Sequence, residues 1–516
     1  MWPCSLKNPQ RCRFTSNALE RRISVSDTPQ PPTSEGIPLG TVGILVAGEE
    51  RTPGGGYLTR SPYDDAPAAH AHLGGPEDVA AALEAVTTSF AATRSIPAWR
   101  RSEILAGIAD RIERDADTFA EAIAREAGKP LDAARGEAHR AVFTFRVASE
   151  EARRIGGEVL PLDWLPGTDG SRADIRRVPI GPVSAITPFN YPLNLVAHKV
   201  APALAAGCPI ALRPDARTPT SAVLLGRAAI DAGWPSDAIA VVPTDVEHAA
   251  PFVEDDRIKL FSFTGSPRVG WMLKNRAGRK RVTLELGGNA GTLVHHDADL
   301  ERAVDRIIWG GFSYSGQSCI SVQRVFVHDA VYERFSTMLA ERVAAMVTGD
   351  PLDSSTDVGP VIDRHSAERI SVWIDEARQA GATVLAGGTV DGTVVHPTVL
   401  TDVAPDQKVV CEEVFGPVLS LIRYEDAEDA LAQMDDSDFG LQAGLFTNDY
   451  ALIERAFERL EVGGIVVGDV STFRVDHMPY GGVKSSGFGR EGIRSAIEDM
   501  TESKLLIHRR YPTMED

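Results

Sequence analysis

Hydrophobic positions near the start of the globular part of the chain recur at intervals of three and four residues, the spacing of one face of a helix. Val79, Leu83 and Val86 follow this spacing, and Pro76 stands where a helix would begin. The isoleucines of residues 104–112 repeat the pattern, with Ser102 predicted as the N-cap of that helix. We therefore predict scaffold helices in this region.

Residues 183–286 follow a different pattern, in which short apolar runs alternate with longer segments of helical spacing. The runs lie at 183–186, 210–212, 239–242, 259–263 and 282–286. Strand, helix and strand in repetition predict right-handed crossovers and a parallel sheet. Because ligands bind at the carboxyl ends of such strands, we expect a site formed by the loops 187–192, 213–219 and 264–270.

The second half of the chain, from Leu286 to about Lys484, shows an alternation of its own, which predicts a further domain. Near the C-terminus, the apolar run 505–507 (LLI) predicts a short strand without an obvious partner. An open strand edge invites pairing, so a subunit contact is the first interpretation. An internal strand remains the alternative.

Composition narrows the class of protein. The chain has 516 residues, of which 43% are hydrophobic, enough for two or three cores because single cores stop growing at roughly 250 to 300 residues. The formal charge of −19 argues against nucleic acid or an anionic membrane as a partner. The most apolar stretch, 183–212, is interrupted by prolines and polar residues, so we predict no membrane span.

Cysteines and the N-terminus carry two further predictions. Five cysteines lie far apart, with neither a Cys-x-x-Cys pair nor zinc spacing, which predicts a reducing, cytoplasmic location and no metal site. Residues 1–36 are basic and then rich in Pro, Ser and Thr. We predict a disordered extension, with a transit peptide or an upstream start codon as the alternatives.

One cysteine has the surroundings of a nucleophile. Cys319 has small neighbours that would let a carbonyl carbon approach the sulfur, and backbone N–H groups near the start of a helix would favour its thiolate. Glu285 precedes it by 34 residues in the run 285–289 (ELGGN) and is a candidate base. Taken alone, such a cysteine is more often a buried small hydrophobe.

Two loops of the predicted sheet add candidate chemistry. In 187–192 (TPFNYP), Asn190 is held between prolines, which suits a fixed hydrogen-bond donor for an oxyanion, although an isolated Asn is more often a turn former. In 261–270 (FSFTGSPRVG), a strand enters a glycine turn and then a helix, an arrangement that can bind phosphate. This run is not the common dinucleotide fingerprint and is weak by itself.

Together these runs resemble the NAD(P)-dependent aldehyde dehydrogenase superfamily, from about residue 37 to the C-terminus. The motifs that carry the resemblance are 126–130 (EAGKP), 187–192, 263–266 (FTGS), 285–289, 316–319 (GQSC), 412–417 (EEVFGP) and 479–487 (PYGGVKSSG). The resemblance implies an α/β subunit with a Rossmann-type parallel-sheet cofactor domain, an α/β catalytic domain and a small β oligomerisation element.

The domain ranges implied by the resemblance are residues 37–156 and 181–286 for the cofactor domain and 287–484 for the catalytic domain. Residues 157–180 and 496–516 are the expected oligomerisation element. A homodimer or homotetramer is therefore expected.

The family's catalytic roles transfer to three positions. Cys319 would add to the aldehyde, with the Asn190 side chain and the Cys319 backbone N–H forming the oxyanion hole. Hydride would pass to the nicotinamide, and water activated by Glu285 would hydrolyse the thioester. Family members that transfer the acyl group to coenzyme A generally lack this glutamate, so its presence favours a free acid as product.

The resemblance also implies a cofactor-binding set. Glu413 would bind the nicotinamide ribose, Phe415 would lie near the ring, and Gly265 and Ser266 would face the pyrophosphate. The complete predicted set is Thr187, Pro188, Arg213, Ala216, Arg217, Gly265, Ser266, Gly270, Leu286, Glu413 and Phe415.

The adenosine end departs from the family's pattern. NAD-preferring members commonly place Lys at the strand end and Glu three residues later, whereas this chain has Arg213 and Ala216. Ala216 removes a carboxylate that would repel a 2′-phosphate, and Arg213 and Arg217 could pair with one. The hypothesis is that the protein accepts NADP. A stronger version of this hypothesis is that it prefers NADP to NAD. The alternative is that Arg213 replaces lysine on the ribose and both cofactors work.

The substrate is less well specified. His198 stands where succinic-semialdehyde enzymes of the family carry an arginine, which weakens that assignment. The run 473–479 (FRVDHMP) resembles the branch near lactaldehyde, sulfolactaldehyde and non-phosphorylating glyceraldehyde-3-phosphate dehydrogenases. Arg474 is a candidate for binding an anionic tail, with a salt bridge to Asp476 or to another subunit as the alternative.

Two rival functions remain open at the level of sequence. One is a non-catalytic family member. The loss of Cys319, Glu285 or Asn190 would indicate such a protein, and all three residues are present. The other is a coenzyme A-acylating semialdehyde dehydrogenase.

Overall fold

The computed structural model describes residues 36–509. The extension predicted over residues 1–36 lies outside the described residues, apart from residue 36 itself.

Strands occur along the whole described chain. In chain order they are β1 (Thr41–Val42), β2 (Ile44–Val46), β3 (Glu49–Arg51), β4 (Tyr57–Arg60), β5 (Pro67–Ala71), β6 (Gly157–Pro161), β7 (Arg172–Pro179), β8 (Val183–Ile186), β9 (Ile210–Arg213), β10 (Ile239–Val241), β11 (Leu260–Thr264), β12 (Arg281–Glu285), β13 (Ala290–Val294), β14 (Val322–His328), β15 (Thr383–Ala386), β16 (Val390–Asp391), β17 (Val394–Val395), β18 (Thr398–Thr401), β19 (Val418–Tyr424), β20 (Phe439–Gly440), β21 (Gln442–Phe446), β22 (Gly464–Val467), β23 (Val483–Lys484), β24 (Gly487–Phe488) and β25 (Thr501–His508).

Helices connect these strands. They are α1 (Pro76–Thr88), α2 (Phe90–Thr93), α3 (Ala98–Arg114), α4 (Ala116–Ala127), α5 (Leu131–Ala152), α6 (Asn194–Ala206), α7 (Thr220–Asp231), α8 (Ala250–Glu254), α9 (Pro267–Arg276), α10 (Leu300–Phe312), α11 (Asp329–Ala344), α12 (Arg364–Gln379), α13 (Lys408–Cys411), α14 (Ala427–Asp435), α15 (Tyr450–Arg459) and α16 (Ile493–Asp499). Among residues 36–509, no helix is long and apolar enough to span a membrane.

The largest sheet contains the five strands predicted from the apolar runs of residues 183–286. Its order is β24-β12-β11-β8-β9-β10-β2-β3, and the five central strands are parallel. Strands β8 and β11 are buried along their full length, as expected for a parallel sheet covered on both faces. The predicted parallel sheet is confirmed.

A second sheet belongs to the later part of the chain. Its order is β15-β18-β19-β14-β13-β21-β22, and its strands are parallel except for β15. The mixed α/β class predicted for the chain is therefore confirmed.

A third sheet combines β6 and β7 with the C-terminal strand β25, in the order β25-β7-β6. Strand β25 pairs antiparallel with β7 over its whole length, so the apolar run 505–507 does have an internal partner. The other side of β25 is an edge of this sheet. The predicted domain limits stay predictions.

The scaffold helices form where their apolar spacing predicts, with one correction. Helix α1 begins at Pro76 and buries Val79, Leu83 and Val86 against the first sheet. Ser102 is not an N-cap, because α3 already begins at Ala98, after a proline. The Ser102 hydroxyl lies inside α3 and hydrogen-bonds Ser149 of α5 at 2.9 Å. The N-cap prediction was therefore wrong, because the polar side chain of Ser102 serves the packing of two helices.

Candidate active site

A cavity of about 430 Å³ lies at the carboxyl ends of β8, β11 and β12. The loops 187–192 and 264–270 contribute to its lining, as the sheet pattern predicts. The loop 213–219 reaches it indirectly: the guanidinium of Arg217 packs on the ring of Phe189, 4.4 Å from its centroid, and Phe189 lines the cavity. The cavity also contains Cys319, Glu285 and Asn190.

Cys319 stands at the end of a tightly constrained turn. Tyr314 and Ser315 have positive φ angles of 48° and 54°. The Tyr314 hydroxyl donates to Ala127 O at 2.9 Å, and the Ser315 hydroxyl donates to Gly359 O at 2.7 Å. These buried bonds hold a backbone conformation that costs energy in non-glycine residues.

The surroundings of Cys319 differ from the prediction in one respect. The residue precedes β14 and does not stand at the start of a helix. Its Sγ lies 3.1 Å from the hydroxyl of Tyr480. Burial raises the pKa of the Cys319 thiol to about 12, and the hydrogen bond with Tyr480 opposes this rise. The raised pKa favours the protonated form of the Cys319 thiol in this conformation.

Asn190 is buried, and its amide is fixed on one side only. Its Nδ2 donates to Gln317 O at 2.9 Å, while its Oδ1 is buried without a partner. An amide nitrogen carries two hydrogens, so one remains for a ligand. The residue lines the cavity beside Cys319, which suits a donor to an oxyanion formed there.

Glu285 ends β12 and is 2% exposed. Both of its carboxyl oxygens are buried without a hydrogen-bond partner, so a water or substrate could occupy them. Burial raises the pKa of Glu285 well above its usual value, and the negative charge of Glu491 raises it further. The positive charges of Arg474 and Lys199 lower this pKa, but they do not outweigh burial. A carboxyl with a raised pKa and unpaired oxygens is suited to proton transfer.

Six predicted cofactor residues line the same cavity as the catalytic candidates. They are Pro188, Gly265, Ser266, Leu286, Glu413 and Phe415. Gly265 and Ser266 precede α9, whose N-terminal N–H groups and dipole favour a phosphate. A Cβ on Gly270 would lie 2.3 Å from Leu286 Cδ2, so glycine is required for α9 to pack on this strand end.

Glu413 is held where a ribose could meet it. Its Oε1 accepts the N–H of Gly288 at 2.9 Å, and a Cβ on Gly287 would lie 2.2 Å from its Oε2. Burial raises the pKa of Glu413 to about 7. The absence of a Cβ at Gly287 thus lets this carboxyl group approach the backbone, and Gly288 contributes its N–H. The phosphate-binding turn and the buried carboxylate fit a nicotinamide dinucleotide.

The predicted adenosine residues lie around the end of β9. Arg213 donates from Nε and Nη2 to Thr244 O at 3.1 and 2.7 Å. Arg217 pairs with Asp215 at 2.9 Å and Asp363 at 3.1 Å, so its charge is already balanced. Two other predicted contacts, Thr187 and Ala216, lie in the same region. The hydroxyl of Thr187 is buried without a partner, and the Ala216 carbonyl accepts a hydrogen bond from Tyr57 at 2.5 Å.

A buried charge network borders the cavity beside Cys319. Arg474 does not form the expected bridge to Asp476; its Nη2 lies 3.3 Å from Glu491. Asp476 instead pairs with Arg140 at 2.7 Å and with His198 Nε2 at 2.8 Å. Burial opposes ionisation of Asp476, yet His198 and Arg140 outweigh it and lower its pKa.

Arg474 and His198 have different relations to the cavity. Arg474 lines it, and its Nε is buried without a partner. His198 is 1% exposed and lies 3.4 Å from Arg474 Nη2. Burial and the charge of Arg474 lower the pKa of His198. His198 would therefore affect a ligand through Arg474 and Asp476.

Two residues without a predicted role also line the cavity. Arg140 lies in the middle of α5, with no local motif to mark it. Tyr480 belongs to the run 479–487, which contributed to the resemblance without a role for the ring. Only the fold brings both residues near Cys319.

Known proteins match this architecture along most of the chain. The family model described as "Aldehyde dehydrogenase family" matches residues 51–506. A 3-sulfolactaldehyde dehydrogenase of Priestia aryabhattai is 42% identical over 466 residues, which cover 90% of this chain and 97% of that protein.

Solved structures also match most of the chain. Aldehyde dehydrogenase 21 from Physcomitrella patens, in complex with the reaction product succinate, has a TM-score of 0.89 and 38% identity, covering 91% of this chain and 98% of its own. Glyceraldehyde-3-phosphate dehydrogenase GapN from Methanocaldococcus jannaschii, complexed with NADP, has a TM-score of 0.84 and 34% identity. The match covers 88% of this chain and 99% of the GapN chain.

Proposed function

Because this chain belongs to the aldehyde dehydrogenase family, an NAD(P)-dependent class of oxidoreductases, we propose that it oxidises a small aldehyde with an anionic group to the carboxylic acid. One observation carries this proposal: Arg474, whose buried Nε lacks a partner, lines the same cavity as Cys319, Glu285 and Asn190.

The chemistry follows from the residues around the sulfur. Cys319 gives up its thiol proton to water, and its thiolate attacks the aldehyde carbon. The aldehyde oxygen becomes an anion and accepts a hydrogen bond from the free N–H of Asn190. When bound, NAD(P)⁺ supplies the acceptor for the hydride that leaves this carbon. A thioester remains on Cys319. Glu285 takes a proton from water, whose oxygen attacks the acyl carbon and releases the acid and the thiolate.

The anionic group is supported by the charges at the inner wall of the cavity. Arg140 and Arg474 both line it, and guanidinium groups bind carboxylate, sulfonate or phosphate oxygens with two N–H donors. Asp476 balances Arg140, while Arg474 keeps its Nε unpartnered. The similar sulfolactaldehyde enzyme and the succinate complex both involve small molecules that carry an acidic group. His198 tunes this wall without touching the substrate.

NADP is the cofactor that we propose as preferred, with NAD also used. Ala216 leaves no carboxylate three residues after Arg213, so a 2′-phosphate meets no repulsion from that side chain. Arg213 would have to exchange its bond to Thr244 O for the phosphate. Titration of the apoenzyme with NADP and NAD tests the preference, and a tighter Kd for NAD would contradict it.

The proposal includes two statements about the whole enzyme. Subunits associate as a homodimer or homotetramer through the exposed third sheet. We also propose a cytoplasmic location, because the thiol at Cys319 must stay reduced to act.

A substrate panel tests the proposed reaction. The full chain is mixed with NADP or NAD and with sulfolactaldehyde, glyceraldehyde-3-phosphate, succinic semialdehyde, lactaldehyde or benzaldehyde, while reduced nicotinamide is followed by absorbance. We expect the anionic aldehydes to have the highest kcat/KM and to yield the free acid. Equal or better turnover of lactaldehyde and benzaldehyde would contradict the anionic class.

A further inference from the structure

A hydroxyl group contacts the candidate nucleophile directly. Tyr480 Oη lies 3.1 Å from Cys319 Sγ, and both side chains line the cavity. Tyr480 is 3% exposed, so bulk water does not compete freely for this contact. A thiolate can only accept a hydrogen bond, so the hydroxyl must donate once the sulfur is ionised.

The other groups that face Cys319 explain why a donor is needed. They include Glu285, Glu413, Arg474 and Tyr191, and the two acids oppose a negative sulfur. Cys319 precedes a strand, so no helix N-terminus stabilises the thiolate. Among the described groups that face the sulfur, Tyr480 and Arg474 favour its ionised form.

The Tyr480 ring is fixed on two sides. The guanidinium carbon of Arg474 lies 3.6 Å from the ring centroid, close enough for a cation–π contact. The Tyr480 backbone exchanges two hydrogen bonds with Glu491, at 3.0 and 2.6 Å. A cation above the ring withdraws electron density from the phenol and makes its O–H a stronger donor. The ring therefore presents its hydroxyl to the sulfur with little freedom to turn away.

We propose that Tyr480 is a further catalytic residue, whose hydroxyl donates to the Cys319 sulfur and stabilises the attacking thiolate, with Arg474 holding and polarising the ring. This rests on the proposed function, in which Cys319 is the nucleophile. Since Arg474 also borders the anion-binding wall, the same side chain links substrate recognition to the reactive sulfur.

The test measures the reactivity of the sulfur without turnover. Full-length wild type and Tyr480→Phe are labelled with iodoacetamide between pH 6 and 10, and the labelled Cys319 peptide is quantified by mass spectrometry. In this reaction the sulfur forms a bond to carbon, iodide leaves, and the thiol proton passes to solvent. We expect the pH profile of Tyr480→Phe to move up by about one unit, which makes labelling about tenfold slower at pH 7.5.

In steady-state kinetics, kcat/KM of Tyr480→Phe should be about tenfold lower than that of wild type, while KM should stay within about twofold of the wild-type value. The reason is that the lost hydrogen bond acts on the reactive sulfur and not on substrate binding. The matched control is Tyr424→Phe, which loses a buried hydroxyl that lies 2.7 Å from His295 Nδ1 and outside the cavity lining, and its labelling profile should equal that of wild type. Site-specific incorporation of 3-fluorotyrosine at position 480 gives a more acidic phenol, keeps the ring and the hydroxyl, and should move the profile down.

Labelling profiles of wild type and Tyr480→Phe that coincide, or a profile that fluorotyrosine leaves unmoved, would overturn the role of Tyr480. Failure of the proposed function has a different signature. In that case Cys319→Ala would still oxidise aldehydes, or wild type would be inactive on the whole panel, whatever the labelling profiles show.

Discussion

At the scale of single residues, the most consequential side chain is Arg474. It is buried between Glu491 and the Tyr480 ring, with one N–H directed to no partner. Burial opposes its charge, but Tyr480 and the acids Glu491 and Asp476 outweigh burial and raise its pKa. Because Glu491 already pairs with one side of this cation, the unpartnered Nε–H is the donor that Arg474 has left for an anionic ligand.

Replacement of this cation gives the first residue-scale prediction. Arg474→Met should raise KM for anionic aldehydes about 10- to 100-fold, because a hydrogen bond to a charged group contributes about 1.5–3 kcal/mol and 1.4 kcal/mol is tenfold. KM for a neutral aldehyde of similar size should change by less than about threefold. Steady-state kinetics on the two substrates measure the difference.

The control for this variant is Arg423→Met, which removes an exposed arginine paired with Asp329. It should leave both KM values unchanged. An Arg474→Met enzyme that loses affinity equally for neutral and anionic aldehydes would show that Arg474 acts only on the shape of the cavity.

The sequence predicted the residues of the cavity unevenly. Cys319, Glu285 and Asn190 stand in short runs whose neighbours mark them, and the fold brings all three together, although their roles stay predictions. Arg140 and Tyr480 could not be found this way, because each acquires its neighbours from a distant segment. The sequence also left the partner of Arg474 open, and one alternative, a bridge to Asp476, does not form because Asp476 pairs with Arg140 and His198.

At the scale of elements, the run 126–130 supports the loop that carries Asn190. Lys129 and Glu137 form a short ion pair, and both side chains are almost completely buried. The second oxygen of Glu137 accepts the N–H groups of Leu193 and Asn194 at 3.0 Å each, where α6 begins. The ammonium of Lys129 also lies 3.6 Å from the ring centroid of Tyr191, beside Asn190. This cluster fixes the start of α6 relative to α5.

Loss of the cation should therefore destabilise the subunit. Lys129→Met leaves the Glu137 carboxylate buried without its partner, which costs about 3–5 kcal/mol when one member of a buried pair is removed. Urea unfolding followed by circular dichroism should show a lower midpoint. The control Lys408→Met, at an exposed pair with Glu376, should unfold like wild type. An unchanged midpoint for Lys129→Met would mean that the pair contributes no net stability.

The elements themselves were predicted best where they are most buried. The apolar runs of β8 to β12 carry a strong signal because both faces of a parallel strand are covered. Ser102 misled because its hydroxyl packs against another helix, which the local pattern does not reveal. The same limit applied to Cys319, whose small neighbours fit a helix start as well as the turn before β14.

At the scale of the whole molecule, the third sheet is the surface through which we propose that subunits associate. Strand β25 has one open edge, and Leu505, Leu506 and Ile507 are 51%, 49% and 60% exposed. Val159 on β6 and Trp164 beyond it are also exposed. Contiguous exposed apolar residues on a sheet edge mark an association surface.

A charge on this edge should break the assembly. Ile507→Glu is expected to lower the mass measured by analytical ultracentrifugation toward that of the 55.5 kDa subunit, because association would bury the carboxylate without a partner. Val246→Glu, at a position that is 79% exposed in another part of the fold, should leave the mass unchanged. A dimer or tetramer that persists in Ile507→Glu would place the contact elsewhere.

In the proposed reaction, Cys319 carries the acyl group and Glu285 activates the water that releases it. These two roles are tested by rapid mixing of the Glu285→Gln variant with NADP and an aldehyde from the panel that the wild type oxidises. Cys319→Ala is the control. We predict that Glu285→Gln releases about one equivalent of reduced nicotinamide per subunit and then stalls, with the acyl mass on the Cys319 peptide, while Cys319→Ala releases none. Steady turnover of Glu285→Gln at the wild-type rate, or product formation by Cys319→Ala, would contradict the account.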